Sequence, residues 1–221
     1  MNFESEILLI ERILNEHYGD LKWWPARTID EVLIGAILTQ NTSWTNVEKA
    51  MENLRIGKVS DLNNISKSDI STLSQLIRPS GFYNQKSRRL LKIAIKISTE
   101  FGNLKSLKKK GLPFCEKYLS EFEGIGKETL DSILLYALVF PKFVIDKYTL
   151  RFFERLGIWS RSMGNSMLEM IPEILENNVL RLKNFHATIV EISKNYCRAK
   201  PICPECLMNK NCDYYREIMF P

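Results

Sequence analysis

Phe122-Glu123-Gly124-Ile125-Gly126-Lys127-Glu128-Thr129 is the stretch on which the fold turns. Two glycines flank one aliphatic residue, which allows a tight turn with positive φ. The run from Ser132 to Phe140 follows, apolar almost throughout, and stops at Pro141. Between Gly126 and Pro141 there is room for about four helical turns, so a buried central helix is expected. A glycine turn that opens a helix aims backbone N–H groups outward and offers a seat for an anion such as phosphate. Ile125 would anchor the turn between two helices. Taken alone, G-I-G is equally a plain helix–helix turn.

The next segment sharpens the reading. Val144-Ile145-Asp146-Lys147-Tyr148-Thr149 places one carboxylate after an apolar stretch. Lys147 to Leu156 reads as a helix, so Asp146 is its N-cap, a functional carboxylate, or both. The rest of the chain is also helical in pattern. Gly and Pro are sparse, 10 and 8, and no run of alternating polarity suggests a sheet. Thr28-Ile29-Asp30-Glu31 marks a helix start before the apolar stretch Val32 to Leu38. Ser66-Lys67-Ser68-Asp69 resembles a capping box, with Ile65 and Ile70 as its hydrophobic staple. The lysines at 105 and 108 to 110 mark a solvated connection.

Four of the five cysteines, Cys197, Cys203, Cys206 and Cys212, are spaced C-x5-C-x2-C-x5-C in a short basic segment. Thiolates that gather in so short a stretch call for a metal centre. Disulfides are disfavoured because no secretory signal or disulfide-dense composition is visible. Spacing alone does not choose between zinc and iron. Cys115 stands alone in Pro113-Phe114-Cys115 and reads as a buried small hydrophobe.

Composition sets wide bounds. The chain has 221 residues, 45% hydrophobic, enough for one large domain or two small ones. Lys plus Arg exceed Asp plus Glu by 31 to 26, for a net charge of +5 and a pI near 8.9. That excess permits a nucleic-acid partner without requiring one. No apolar run reaches the length of a membrane span, and a cytoplasmic location is expected, on the nucleoid if the source is prokaryotic.

The order G-I-G-K-E-T, then V-I-D-K-Y, then four C-terminal cysteines resembles the endonuclease III family of helix–hairpin–helix DNA glycosylases. Leu33 to Val47 (L-I-G-A-I-L-T-Q-N-T-S-W-T-N-V) resembles the family's early helix and DNA-facing turn. Gly81-Phe82-Tyr83-Asn84-Gln85-Lys86-Ser87 resembles its second DNA-facing loop. The resemblance covers nearly the whole chain. It implies an all-α fold of two helical lobes with the active cleft between them. Residues 28–141 would form a six-helix barrel carrying the helix–hairpin–helix motif. Residues 1–27 and 142–221 would form the other lobe, with a C-terminal loop holding a [4Fe–4S] cluster on Cys197, Cys203, Cys206 and Cys212. The family's first cysteine interval is usually six residues; here it is five, Arg198 to Ile202. Arg198 and Lys200 suit a phosphate-facing loop, or a merely solvated one.

Glu128 is the telling departure. Bifunctional members of the family carry a lysine at this place, which forms a Schiff base with the sugar. A carboxylate cannot form an imine, and Lys127 should point along the wrong side of the helix start. The resemblance therefore implies a monofunctional enzyme in which Asp146 stabilises an oxocarbenium-like sugar and activates water. Trp23, Trp24 and Pro25, with Trp44, resemble the branch that excises 3-methyladenine. An alkylated purine is cationic and needs stacking and cation–π contacts more than a strong acid. Glu128 either favours that cation or is a solvated helix-start carboxylate. Core packing is the bland alternative for each tryptophan.

Gln40 and Asn41 match the turn that fills the gap left by a flipped nucleotide, and Phe82 the wedge into the opposite strand, unless Phe82 belongs to the core. Gly124, Ile125, Gly126 and Lys127 would grip phosphate. The expected partner is double-stranded damaged DNA, met by a monomer. His17 and His186 read as structural histidines. The rival functions are a glycosylase for a mismatched or deaminated base, whose pocket would be rich in amide donors, and a DNA-binding protein without chemistry.

Overall fold

The computed structural model describes residues 2–219. Within them the chain is all-α, with no strand. The helices in chain order are α1 (Phe3–Tyr18), α2 (Ile29–Leu38), α3 (Trp44–Ile56), α4 (Leu62–Ser66), α5 (Ile70–Leu76), α6 (Tyr83–Phe101) and α7 (Leu104–Lys108). They continue with α8 (Leu112–Ser120), α9 (Lys127–Ser132), α10 (Lys147–Leu156), α11 (Ile171–Ile174), α12 (Val179–Asn195) and α13 (Asp213–Met219). The chain divides into a central unit, residues 24–140, and a terminal unit built from residues 1–23 and 141–221.

In the central unit α2 begins as its sequence suggests. Thr28 Oγ1 accepts from the Glu31 amide at 3.2 Å, and Glu31 Oε2 accepts from the Arg27 amide at 2.8 Å. Two amides near the helix start that would otherwise lack an acceptor are thereby satisfied. Glu31 is only 3% exposed. Arg55, at the end of α3, holds it through Nε at 2.9 Å and Nη2 at 2.8 Å. Those hydrogen bonds outweigh burial and keep the Glu31 carboxyl below the usual carboxylate range. Every residue from Val32 to Leu38 is then buried. On α6, Leu90, Ile93, Ala94 and Ile97 are buried, the i, i+3, i+4, i+7 face of an amphipathic helix. Each large aliphatic side chain so buried contributes about 1.5–3 kcal/mol. Cys115 is buried too, its thiol donating to the Leu107 carbonyl.

Two local expectations fail. Ser66 does not cap a helix; it is the last residue of α4. Asp69 is itself the N-cap of α5, its Oδ1 accepting from the Thr72 amide at 2.8 Å, and Ile70 is exposed. A carboxylate three residues after a serine fits both patterns, and here Asp69 takes the cap. The helix after the hairpin is also shorter than expected. α9 passes into a π-helical turn, Ile133–Ala137. Leu138 N then bonds Ile133 O and Phe140 N bonds Leu134 O, both at 2.9 Å. The wide bonds close the helix at Val139, which takes a φ of 58°, after about three turns rather than four.

In the terminal unit α1 and α10 both pack on α12. Ile7, Ile10 and Leu14 form the buried face of α1, and Phe152, Phe153 and Leu156 that of α10. Asn184 on α12 secures the segment leaving α1. Its Nδ2 donates to the Gly19 carbonyl at 2.8 Å, and its Oδ1 accepts from the Leu21 amide at 3.1 Å. This fixes the approach to Trp23.

Candidate active site

The hairpin between α8 and α9 is built on one left-handed glycine, Gly124, with φ 82°. Gly126 is different. It caps α9 in extended backbone, φ −79° and ψ 172°, which any residue adopts. Of the two glycines, only Gly124 takes the positive φ that the turn was expected to use. What Gly126 offers is space: nothing lies within 4 Å of the place a Cβ would take, so an anion can approach the backbone at the start of α9. Ile125 is buried and anchors the turn. Lys127 reaches along α9 to Asp131 at 3.0 Å, and Glu128 is exposed in the first helical turn.

Gln40 braces this hairpin. Its Nε2 donates to the Gly124 carbonyl at 2.7 Å and to Thr129 Oγ1 at 2.9 Å. Its neighbour Asn41 is exposed, with φ 53°. Phe82 caps α6 in the left-handed region, φ 46°, and is 61% exposed. The core reading of Phe82 is overturned: a phenyl ring so placed gains nothing from folding.

Asp146 is the N-cap of α10. Its Oδ1 accepts from the Tyr148 amide at 2.9 Å and the Thr149 amide at 2.8 Å. Its Oδ2 faces His186 Nε2 at 3.6 Å. The residue is 7% exposed. Burial works against its charge, but the His186 ring and Thr149 outweigh burial and hold the carboxyl below its usual range. A carboxylate fixed on one oxygen, ionised and directional on the other, can stabilise a developing cation. His186 sits on α12 and was read from sequence as structural, without a partner. The structure gives it Asp146. Around it stand Trp23, edge-on at 5.5 Å, and Phe143 at 6.3 Å. Lys194 Nζ lies 5.6 Å from the centre of the Trp23 ring. His17 is exposed and meets only the edge of Tyr18 among ring contacts.

None of Trp23, Trp24 and Trp44 is a core residue; each is partly exposed. The structure brings Trp24, Pro25 and Trp44 together on one cavity of the central unit, with Gly35, Glu48 and Glu52 also lining it. Trp24 meets Trp44 edge-to-face at 5.5 Å and lies tilted over Tyr136 at 4.9 Å. Trp23 belongs to the terminal unit and Glu128 is not part of this cavity's lining.

The four clustered cysteines are free thiols and line one cavity in the terminal unit, walled by Phe152, Leu156 and Met208. Burial pushes the Cys206 thiol up to about 11, and the nearby Cys197, Cys212 and Cys203 add to the rise. Four mutually repelling sulfurs in an apolar cavity are a donor set suited to a cationic centre. Among the described residues no three His, Cys, Asp or Glu side chains could hold a single metal ion. Arg155 fastens this loop, with Nη1 2.6 Å from the Arg198 carbonyl and 3.4 Å from Cys197 Sγ.

Residues 34–176 match the family model described as HhH-GPD superfamily base excision DNA repair protein. A Methanocaldococcus jannaschii protein provisionally named DNA repair glycosylase MJ1434 is 42% identical over 212 residues, 93% of this chain and 95% of that one. The structure of H. pylori 3-methyladenine DNA glycosylase (MagIII) bound to 1,N6-ethenoadenine is 30% identical, with a TM-score of 0.74, covering 88% of this chain and 98% of that chain. A non-covalent endonuclease III–DNA complex shares the fold at a TM-score of 0.78 and 20% identity, over 99% of each chain. A glycine hairpin, a capping aspartate and a family match spanning both lead to one statement: the chain belongs to the HhH-GPD superfamily of base excision DNA repair proteins, among its DNA repair glycosylases.

Proposed function

We propose that this protein is a monofunctional DNA glycosylase that hydrolyses the N-glycosidic bond of alkylated purines such as 3-methyladenine in double-stranded DNA, acting as a monomer. The observation that carries this reading is Asp146: a buried, ionised carboxylate, fixed by two amides and free of lysine chemistry, because Glu128 stands where an imine-forming lysine would be. The bond between sugar and base breaks with its electron pair leaving on the base. An N3- or N7-alkylated purine is already cationic, so it departs neutral without a donated proton. Asp146 stabilises the oxocarbenium-like sugar left behind and takes up the proton of the water that adds to it.

Specificity for a cationic base is supported by the cavity of Trp24, Pro25 and Trp44, since π faces attract cations. Among the charged side chains lining it, Glu31 and Glu52 share Arg55, and Glu48 adds negative potential of the right sign. The likeness to a 3-methyladenine glycosylase points the same way. Duplex binding is assigned to the Gly124–Lys127 hairpin, which takes phosphate, and to Asn41 and Phe82 at exposed tips. Affinity should then fall steeply with salt.

Cys197, Cys203, Cys206 and Cys212 are assigned as the ligands of a [4Fe–4S] cluster, which when bound supplies a redox-active cross-link across the loop. Purified protein should be brown and contain iron and acid-labile sulfide; colourless protein with stoichiometric zinc overturns this assignment. The activity is tested by measuring free base released from duplexes that each carry one lesion, with and without alkali. Release of 3-methyladenine with strand cleavage only after alkali supports the proposal. Release restricted to mismatched thymine or uracil assigns the alternative substrate class, and no release from any lesion assigns a binding protein without chemistry.

A further inference from the structure

Lys86 is 1% exposed, a long charged side chain as fully buried as the phenylalanines of the core. Its ammonium donates to the Leu38 carbonyl at 2.8 Å and to the Ser80 carbonyl at 2.7 Å. Leu38 ends α2, and Ser80 ends the 3-10 turn Arg78–Ser80. Carbonyls at helix ends lack intrahelical donors and carry partial negative charge, so one cation closes two helices at once. Ser80 Oγ turns back to Ile77 O at 2.7 Å, which leaves the Ser80 carbonyl for the lysine. One turn further along α6, Arg89 Nη1 lies 3.4 Å from Gln40 Oε1. Gln40 in turn holds the Gly124 carbonyl of the hairpin.

These bonds join three loops of the central unit: the turn after α2, the loop before α6, and the hairpin. The two tips that follow the Lys86 anchors are both in left-handed backbone, Asn41 at φ 53° and Phe82 at φ 46°. Non-glycine residues persist there only when their surroundings over-determine them. Burial, with Arg89 nearby, pushes the Lys86 pKa down to about 8, so the fold holds this charge against desolvation. A methionine would fill the same volume without that opposition.

We infer that Lys86 is a positioning residue that locks the Gln40–Asn41 turn and the Phe82 loop into one rigid head, linked through Arg89 to the hairpin, so that gap filling and strand wedging occur together when a base leaves the stack. The inference rests on the DNA-facing roles assigned above. Lys86 is buried and acts through the tips it holds.

The test compares wild-type and Lys86→Met protein on two duplexes with the same alkylated purine. In one the lesion is paired; in the other it faces an abasic site and has no partner base. Unpairing is the step the head assists, and it is cheapest for a base already displaced. The expected loss of single-turnover base release is roughly tenfold to 10²-fold on the paired lesion, the scale of a misplaced positioning group, and within about threefold on the pre-opened one. Fluorescence of 2-aminopurine beside the lesion should show the matching loss of base extrusion. Equal loss on both duplexes assigns Lys86 a merely structural role and overturns the inference. If Lys86→Met does not fold, as read by circular dichroism, Arg89→Met tests the same linkage and should give the same duplex-selective loss; an equal loss there overturns it as well. Wild-type protein that releases no base from either duplex refutes the functional reading instead, a result distinct from any behaviour of the variants.

Discussion

Replacing Asp146 by Asn removes a charge and keeps a shape, and the structure allows the two effects to be separated. Oδ1 accepts the Tyr148 and Thr149 amides at 2.9 and 2.8 Å. An asparagine oxygen makes both bonds, and Asn and Asp are about equally good helix caps. What is lost for folding is the attraction of the carboxylate to the α10 N-terminus, about 0.3–1 kcal/mol, and the charge facing His186. A decrease of about 1 kcal/mol lowers the melting temperature by roughly 2–4 °C in a chain of this size. For catalysis the loss is larger, because the positive sugar exists only in the transition state. Removing one preorganised charge-stabilising group reduces the rate by about 10²–10³, or 2.7–4 kcal/mol. Alanine would not separate the effects, since it strands two buried amides at about 1–3 kcal/mol each.

The assay is single-turnover release of 3-methyladenine from a defined duplex, beside equilibrium binding of the same duplex and thermal melting. Asp146→Asn should bind DNA with nearly unchanged affinity, melt within a few degrees of wild type, and release base at least about 10²-fold more slowly. A rate within about threefold of wild type would show that no transition-state charge rests on Asp146, and the mechanism would fall. Equal loss of binding and release would show that the residue serves the hairpin end of the reaction, not the sugar.

Borohydride should trap no covalent adduct between wild-type protein and damaged DNA, because Glu128 cannot form an imine; efficient trapping, seen as a shifted band on a denaturing gel, would identify another lysine as nucleophile. Gly124→Ala should weaken duplex binding and lower stability by at least about 1 kcal/mol, through its left-handed φ and because the added Cβ falls on the Arg89 side chain, whereas Gly126→Ala, in extended backbone and open space, should melt like wild type; the reverse order in calorimetry would refute the hairpin geometry. His186→Leu should move acid unfolding to higher pH. The folded Asp146 carboxyl lies below its unfolded value, so its stabilisation is present above about pH 4 and fades as pH falls through the folded value. Without His186 the folded value rises and the fade begins earlier, which melting curves between about pH 2.5 and 5 would detect.

Much of this was legible because it is local. Thr28 and Asp146 cap the helices that their own sequence neighbours announce, and the all-α architecture follows from periodicity with few breakers. The errors are local too, where two patterns overlap. Ser66 and Asp69 compete for one role, and the carboxylate wins. Two glycines share one turn, and only the bond pattern Ile125 N to Phe122 O at 3.0 Å decides which of them is left-handed. Phe82 could not be assigned to core or surface from an apolar letter alone. His186 was invisible for another reason. Its partner lies 40 positions away, and nothing in Asn184-Phe185-His186-Ala187 distinguishes a histidine facing a carboxylate from one packed in the core. A polar ring among the apolar residues Phe185, Ala187, Ile189 and Val190 is the single available signal.

The buried charges show which residues have charge to spare. Among the described residues the buried carboxylates and ammonium are Glu31, Lys86, Asp131 and Asp146. Glu31 is neutralised by Arg55 and Asp131 by Lys127, at 2.8 and 3.0 Å. Those pairs complete each other and hold helices in place. Asp146 is held by His186, 3.6 Å from its Oδ2, and by amides at the start of α10, and Lys86 by carbonyls closing α2 and the turn at Ser80. A helix end supplies about half an elementary charge, enough to keep a buried group ionised but not to cancel it. Asp146 is thus kept ionised, with Oδ2 free of backbone bonds, and Lys86 keeps a positive charge that spans two loops. Neither arrangement is explained by stability, since a neutral isostere would avoid the desolvation. Both fit the roles proposed above, the departure of a base for Asp146 and the opening of a duplex for Lys86.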